Sequence, residues 1–251
     1  MKKQLLLAGV AVAALMSGTP GRAADLPLKA PPAPPFTWTG CYIGGHIGFG
    51  VGNKEFIDSL GGSDLSGTTG DGAGPSLAGF LGGGQIGCNY QFANNWVIGI
   101  EGAGSGADLS GSTISPFNGK TLSARTDWLA SVTGRVGYTV NQWLFYVKGG
   151  AAWAGDHFQV METGGAPNTY NLSQTRFGAT VGVGAEYAFW THWSARVEYN
   201  FYAFGSDSNL FFGCTNPVNQ TLFCGTPATR GPETIKQDIN QFTVGLNYRF
   251  Y

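Results

Sequence analysis

Apolar and polar residues alternate with a period of two along much of the chain, most clearly between Gly182 and Gly205. There Trp193, Ala195, Val197, Tyr199 and Phe201 share one parity, while Ser194, Arg196, Glu198 and Asn200 share the other. A period of two describes a β-strand with one apolar and one polar face. The limb before it alternates as well, and the two limbs meet at a short turn flanked by Tyr187, Phe189, Trp190 and Trp193. In a soluble sandwich the apolar face would look at a core. Here aromatics ring the apolar face at the turn and charges line the other face. That is the pattern of a transmembrane hairpin with lipid outside and a polar interior.

The unit recurs. Residues 90–96 (YQFANNW), 138–143 (YTVNQW) and 187–193 (YAFWTHW) each run from an aromatic through a short polar turn to a tryptophan, and 246–251 (LNYRFY) repeats the start of the unit at the chain end. A period of about 50 residues also fits a propeller blade, but a blade needs about four strands and each unit here has room for two and a long loop. The hairpin reading predicts strands over 39–51, 77–91, 96–107, 123–139, 143–158, 173–188, 193–204 and 236–251. Short turns fall at 92–95, 140–142 and 189–192, and four long Gly/Ser/Asn-rich connections at 52–76, 108–122, 159–172 and 205–235. The expected fold is all-β: an eight-stranded antiparallel transmembrane barrel with short periplasmic turns and four long external loops. An even strand number lets the sheet close, so no unpaired edge is left in lipid.

The N-terminus changes the picture by adding an address. Lys2 and Lys3, an apolar run over 5–16 and the small-residue site around Ala23 predict a secretory signal peptide over 1–23. The apolar run is too short to span a bilayer as a helix. Residues 24–38, with prolines at 27, 31, 32, 34 and 35, predict an extended periplasmic leader, a spacer rather than a PxxP signalling ligand. The barrel then occupies 39–251. Charged residues are only 12% and aromatics 14%, which suits a lipid-facing wall better than a soluble surface. A net charge of −1 leaves no basic footprint, so no nucleic-acid partner is expected. The glycines, 41 in number and without a three-residue period, are not collagenous; inward ones make room for larger interior side chains.

The segments ADLP…KAPPAPPFTWTGCYIGG, GGGQIGCNYQFANNWVIGIEG, VGVGAEYAFWTHWSARVEYNFYAFG and TVGLNYRF resemble the small alphaproteobacterial outer-membrane proteins of the porin-family, outer-membrane immunogenic type, within the opacity-like and OmpA-like barrels. There are two departures from that pattern. Tyr251 follows the Phe250 on which such chains end, and Cys41 and Cys88 stand where aromatics are expected. The resemblance implies a cleaved, exported protein of the outer membrane. Its surroundings would be outer-membrane lipid and lipopolysaccharide, and its C-terminal strand would be read by the outer-membrane assembly machinery. It also raises haem binding, with His157 or Tyr170 as ligand, against which a solvated polar loop is the expected reading.

Parity directs His46, Gln85, Glu101, Asp127, Arg135, Lys148, Glu186, Arg196, Glu198 and Arg249 inward. Four acids (Glu101, Asp127, Glu186, Glu198) face four bases (Arg135, Lys148, Arg196, Arg249), so pairing would remove most of the penalty of burying them. Eight strands enclose an interior just wide enough for side chains. A salt-bridged, plugged interior is therefore expected, with a narrow diffusion pore and a surface ligand-binding or adhesion protein as alternatives. Trp96, Trp143, Tyr187, Trp193, Tyr248 and Phe250 form the expected aromatic girdle. Four cysteines allow three pairings. Cys41–Cys88 and Cys214–Cys224 join neighbours, whereas the alternatives would link opposite ends of the barrel, beyond the reach of a disulfide.

No cofactor, metal or catalytic residue is expected. Residues 82–87 fit G-x-G-x-x-G, but inside a strand rather than between strand and helix. Residues 70–74 with Asp58 and Asp64 lack regular calcium-ligand spacing. Some eight-stranded barrels are lipid-modifying enzymes that use His, Ser and an acid. Here the candidate set is His157 with Asp156 and a loop serine, and nothing in the sequence fixes its geometry.

Overall fold

Two-residue alternation over long stretches, punctuated by turn residues, folds the chain into a sheet that closes on itself. The computed structural model describes residues 36–58, 72–114, 121–161, 169–210, 213–215 and 233–250. The expected signal peptide, the expected leader up to Pro35, Cys224 and Tyr251 lie outside the described residues. The strands are β1 (Gly40–Asp58), β2 (Gly72–Ala73), β3 (Ser76–Gln91), β4 (Trp96–Ile114), β5 (Thr121–Val140), β6 (Trp143–Met161), β7 (Thr169–Ala188), β8 (Trp193–Leu210), β9 (Gly213–Thr215) and β10 (Glu233–Phe250). Every pairing is antiparallel. β1 pairs with β10 from Cys41 opposite Phe250 to Asp58 opposite Glu233, so the eight long strands form a closed barrel.

The long strands start and stop near the expected residues at the short-turn end and overrun them at the other. β1 continues to Asp58 rather than residue 51, and β8 to Leu210 rather than residue 204. The reason is chemical. Above the apolar band the outward residues become Ser, Asn, Gln and charged, so the hydropathy signal fades, while backbone pairing carries the ladder on into water. β2 and β9 are short additions at this end; β9 pairs with β7 where β8 has already left it, above Ala179 opposite Ala203. At the other end the turns are tight, and Asn95 (φ 68°) and Asn141 (φ 56°) take the left-handed conformation that asparagine tolerates.

The outer wall is apolar in its middle: Ile47 is 67% exposed, Val183 53% and Phe80 82%. Trp96 pairs with Tyr138, Trp143 with Tyr187 and Trp193 with Tyr248, their rings 5.6, 4.8 and 5.2 Å apart, and Phe250 lies 5.3 Å from Tyr248. All six expected girdle residues therefore stand at the short-turn end of the wall. A second aromatic row, absent from the sequence reading, consists of Trp128, Trp153 and Phe177 on β5, β6 and β7. It is separated from Tyr138, Trp143 and Tyr187 by roughly the 10 residues a tilted strand needs to cross a bilayer. Cys41 lies opposite Cys88 in the β1–β3 register, and a disulfide joins them. Cys214 is in β9; its expected partner, Cys224, is not among the described residues.

Candidate functional site

The inner wall is stacked in three layers. The central one is charged. Glu101 on β4 is its hub: it accepts hydrogen bonds from Tyr42 Oη at 2.6 Å, Arg196 Nη1 at 2.7 Å and Lys148 Nζ at 3.1 Å, with Arg135 Nη1 at 3.7 Å. Lys148 also meets Glu198 at 2.6 Å, and Arg135 meets Glu186 at 3.7 Å. Glu186 accepts from Ser194 Oγ and, at 2.9 Å, from Asn247 Nδ2. From Asn247 the chain of bonds runs to Gln85 (2.7 Å), then His46 (2.6 Å), then Ser105 (2.7 Å). Members come from β1, β3, β4, β5, β6, β7, β8 and β10, so one network ties all eight long strands together.

Small residues make that density attainable. A Cβ at Gly87 would collide with the Tyr42 hydroxyl, and one at Gly184 would lie 2.5 Å from the Tyr146 ring. The two tyrosines donate to different acids of the network, Tyr42 to Glu101 and Tyr146 to Glu198 at 2.7 Å. The Arg135 guanidinium lies 4.8 and 5.0 Å from their ring centroids. Such stacking suits a planar, weakly hydrated cation taken out of water. Three carboxylates (Glu101, Glu186, Glu198) face three cations (Arg135, Lys148, Arg196), so the formal charges cancel. Their mutual contacts leave them engaged as partners rather than poised for acid–base work.

The layer toward the long-loop end is apolar. Leu77, Leu109, Leu122, Leu129, Phe158 and Ile239 are among the side chains that fill it. Within it lies an ion pair, Lys54 Nζ to Asp156 Oδ1 at 2.8 Å, both side chains fully buried, with Gln237 Nε2 donating to the same oxygen at 3.4 Å. Thr126 Oγ1 donates to the same carboxylate at 2.5 Å, and Lys54 stands 4.4 Å over the Phe158 ring. Nearby, Arg176 donates to the carbonyls of Gly205 and Ile235 and to Gln237 Oε1. At the short-turn end, Trp38 is fully buried with Val97, Leu144 and Ala188, and Phe36 packs on them. The end of the expected leader thus enters the barrel rather than extending away from it.

Asp127 and Arg249 do not join the central network. Asp127 was expected inside because it shares parity with Arg135. A β-bulge between Thr126 and Trp128 inserts one residue and reverses the parity above it. Asp127 therefore emerges on the outer wall, its side chain 34% exposed, against Arg125 Nε at 2.6 Å and His157 Nε2 at 2.9 Å. Arg249 is buried, but at the short-turn end, 4.2 Å from the Trp38 ring and 4.5 Å from that of Phe36, and donates to the carbonyl of Thr37. Asp156 and His157, adjacent in sequence, point to opposite sides of the wall, so the set envisaged around them does not assemble; His157 instead meets Asp127 and, at 2.7 Å through Nδ1, Ser173. Three interior charges stand outside the expected inward set: Asp156 and Arg176 share the inward parity of Lys148 and Glu186 within the expected strands 143–158 and 173–188, while Lys54 lies beyond the expected end of its strand at residue 51. Extending the alternation outward from Gly52 would have reached Lys54.

Comparison with known proteins agrees with this architecture. The family model described as outer membrane protein beta-barrel domain matches residues 8–250. The chain is 33% identical to the 31 kDa outer-membrane immunogenic protein of Brucella melitensis, over 99% of this chain and 100% of that protein. It is 29% identical to the 22 kDa outer membrane protein of Rhizobium leguminosarum, over 69% of this chain and 67% of the relative. Among solved structures, the outer membrane protease OmpT of Escherichia coli aligns with a TM-score of 0.53, covering 87% of this chain and 99% of that one. At 12% identity this likeness concerns the fold alone.

Proposed function

The chain belongs to the outer membrane protein β-barrel domain family, and from that premise we propose that it is a closed, surface-presenting anchor of the outer membrane whose interior conducts no solute. One observation carries the reading: the charge-balanced network around Glu101 draws on all eight long strands and buries its charged side chains. A water path through this layer would have to separate buried ion pairs, and removing one partner of such a pair costs about 3–5 kcal/mol. The apolar layer above and the Trp38 layer below exclude water on either side. In this reading the interior groups have a structural role and none acts as a catalyst. The barrel holds its long connections at the cell surface, where lipopolysaccharide, host surfaces or small ligands would meet them. The C-terminal strand, paired to β1 as the barrel closes, is the element offered to the assembly machinery.

Single-channel recording of the mature protein in planar bilayers tests this, once heat-dependent gel mobility has shown that it is folded. The expected record is silent. Discrete steps of reproducible size would replace the anchor with a narrow diffusion pore.

A further inference from the structure

The outer wall carries a second cluster of ionisable and nucleophilic groups. On three adjacent strands, Arg125 lies opposite His157 and His157 opposite Ser173. Ser173 Oγ is 2.7 Å from His157 Nδ1, and Asp127 Oδ2 is 2.9 Å from His157 Nε2. The imidazole is thus held between a hydroxyl and a carboxylate, one on each ring nitrogen. The carboxylate fixes the Nε2–H tautomer and leaves Nδ1 to accept the serine proton. This is the relation of nucleophile, base and orienting acid used in acyl transfer, with the two ring nitrogens exchanged.

Two further features point the same way. Asp127 reaches His157 only because the bulge turns it outward; a regular strand would have buried it on the inner face with Leu129. Bulges that re-aim a single side chain are common beside active sites. The second is depth. The cluster sits two outward-facing positions beyond the second aromatic row: Trp153 to His157 is about 13 Å along the strand at roughly 3.3 Å per residue. A cleft of about 480 Å³ adjoins it, lined by Ser110, Ser112, Ser123, Gln159 and Asn171 beside Arg125, His157 and Ser173. Uncharged hydroxyl and amide side chains suit a hydroxyl-rich headgroup, while the aromatic row below suits an acyl chain. The carboxylic ester of a membrane amphiphile would lie between them.

We infer that Ser173, His157 and Asp127 form an ester-hydrolysing site on the outer wall that acts on acyl esters of lipids at the membrane surface. Ser173 Oγ adds to the ester carbonyl as its proton passes to His157 Nδ1. The Arg125 guanidinium, paired with Asp127 at 2.6 Å and with Asp108 at 3.5 Å, holds the Asp127 carboxylate against the imidazole. Collapse of the adduct breaks the acyl–oxygen bond, and the departing alcohol takes the proton from Nδ1. Water then adds to the acyl-serine, giving its proton to Nδ1. Release of the fatty acid returns that proton to Ser173. Asp127 acts through His157 as a positioning residue.

The test uses the folded mature protein in vesicles, treated with a fluorophosphonate probe and assayed for fatty-acid release. Peptide mass spectrometry is expected to place the adduct on Ser173. Ser173→Ala and His157→Gln should each lower fatty-acid release by about 100-fold or more. Asp127→Asn should lower kcat with little change in KM, since it touches no substrate. Release from lipopolysaccharide vesicles identifies a sugar ester, and release from phospholipid vesicles a glycerol ester; either supports the site. No release from either bilayer, an adduct elsewhere, or a Ser173→Ala protein as active as the parent overturns it. None of these outcomes depends on conductance, so the anchor reading stands or falls separately.

Discussion

The central and upper layers of the barrel bury charge in two different ways. Around Glu101, each ion has several partners drawn from different strands, and tyrosine, asparagine and glutamine complete the shell. Around Asp156, a single buried carboxylate serves Lys54 within a layer of leucine, isoleucine and phenylalanine. The first arrangement distributes the loss of any one member; the second concentrates it. Lys54 and Asp156 lie on β1 and β6, four strands apart around a barrel of eight, so the pair spans the interior from wall to wall. A charge network fastens the middle of the barrel, and one cross-brace fastens its upper end.

That contrast breaks if the two layers respond alike to losing a carboxylate. Asp156→Ala should give the largest effect: it leaves Lys54 buried without its counter-ion, at a cost of about 3–5 kcal/mol. Urea titration of the protein in lipid vesicles reads this directly, and an unchanged midpoint would remove the cross-brace. Glu101→Gln should cost less, about 1–3 kcal/mol, because Glu186 and Glu198 remain beside the three cations and the amide keeps an acceptor oxygen. If the glutamine variant is the more damaged, the network is centred on one acid rather than distributed. On the outer wall, Val183→Arg should cost about 2–4 kcal/mol in the same titration if the band there faces lipid at mid-depth.

How far the sequence could be read follows from where its alternation holds. Through the apolar band the period of two is unbroken, and parity alone places Glu101, Arg135, Lys148, Glu186, Arg196 and Glu198 together on the inner wall. It does not say which charge meets which, because contacts across a barrel depend on strand tilt and stagger rather than on spacing along a strand. Parity fails at Asp127, where one inserted residue reverses the faces; no composition signal marks the bulge, since Asp127 reads as an ordinary inward acid two turns of the pleat from Ser131. It puts Asp156 on the inner face with Lys148 but does not supply its partner, because Lys54 lies beyond residue 51, where the outward face has turned polar and the two faces no longer differ in hydropathy. The serine of the outer-wall cluster was out of reach for the same reason: Ser173 stands opposite His157 only through the β6–β7 register, set by the turn at 189–192 and the whole ladder above it.

The smallest expected effect sharpens the comparison most. Replacing the cross-brace together with the buried hydroxyl that donates to it, Lys54→Met with Asp156→Leu and Thr126→Val, removes two buried charges and their donor and fills the space with side chains like those already around it. In an apolar surround the desolvation of such a pair offsets much of its attraction, so the combined variant should lie within about 1 kcal/mol of the parent, or above it. The same exchange within the Glu101 network, for example Glu198→Leu with Lys148→Met, should not be neutral. It would strip partners from Arg196, Tyr146 and Glu101 at once, leaving buried donors without an acceptor and a buried acceptor without a donor. A neutral upper swap beside a damaging central one would mean that the cross-brace adds little to stability and owes its place to specificity, fixing β1 against β6 in a single register while the sheet closes. Equal damage from both would mean that the upper pair is held as tightly as the network beneath it, and that the apolar layer around it is organised by the charge rather than indifferent to it.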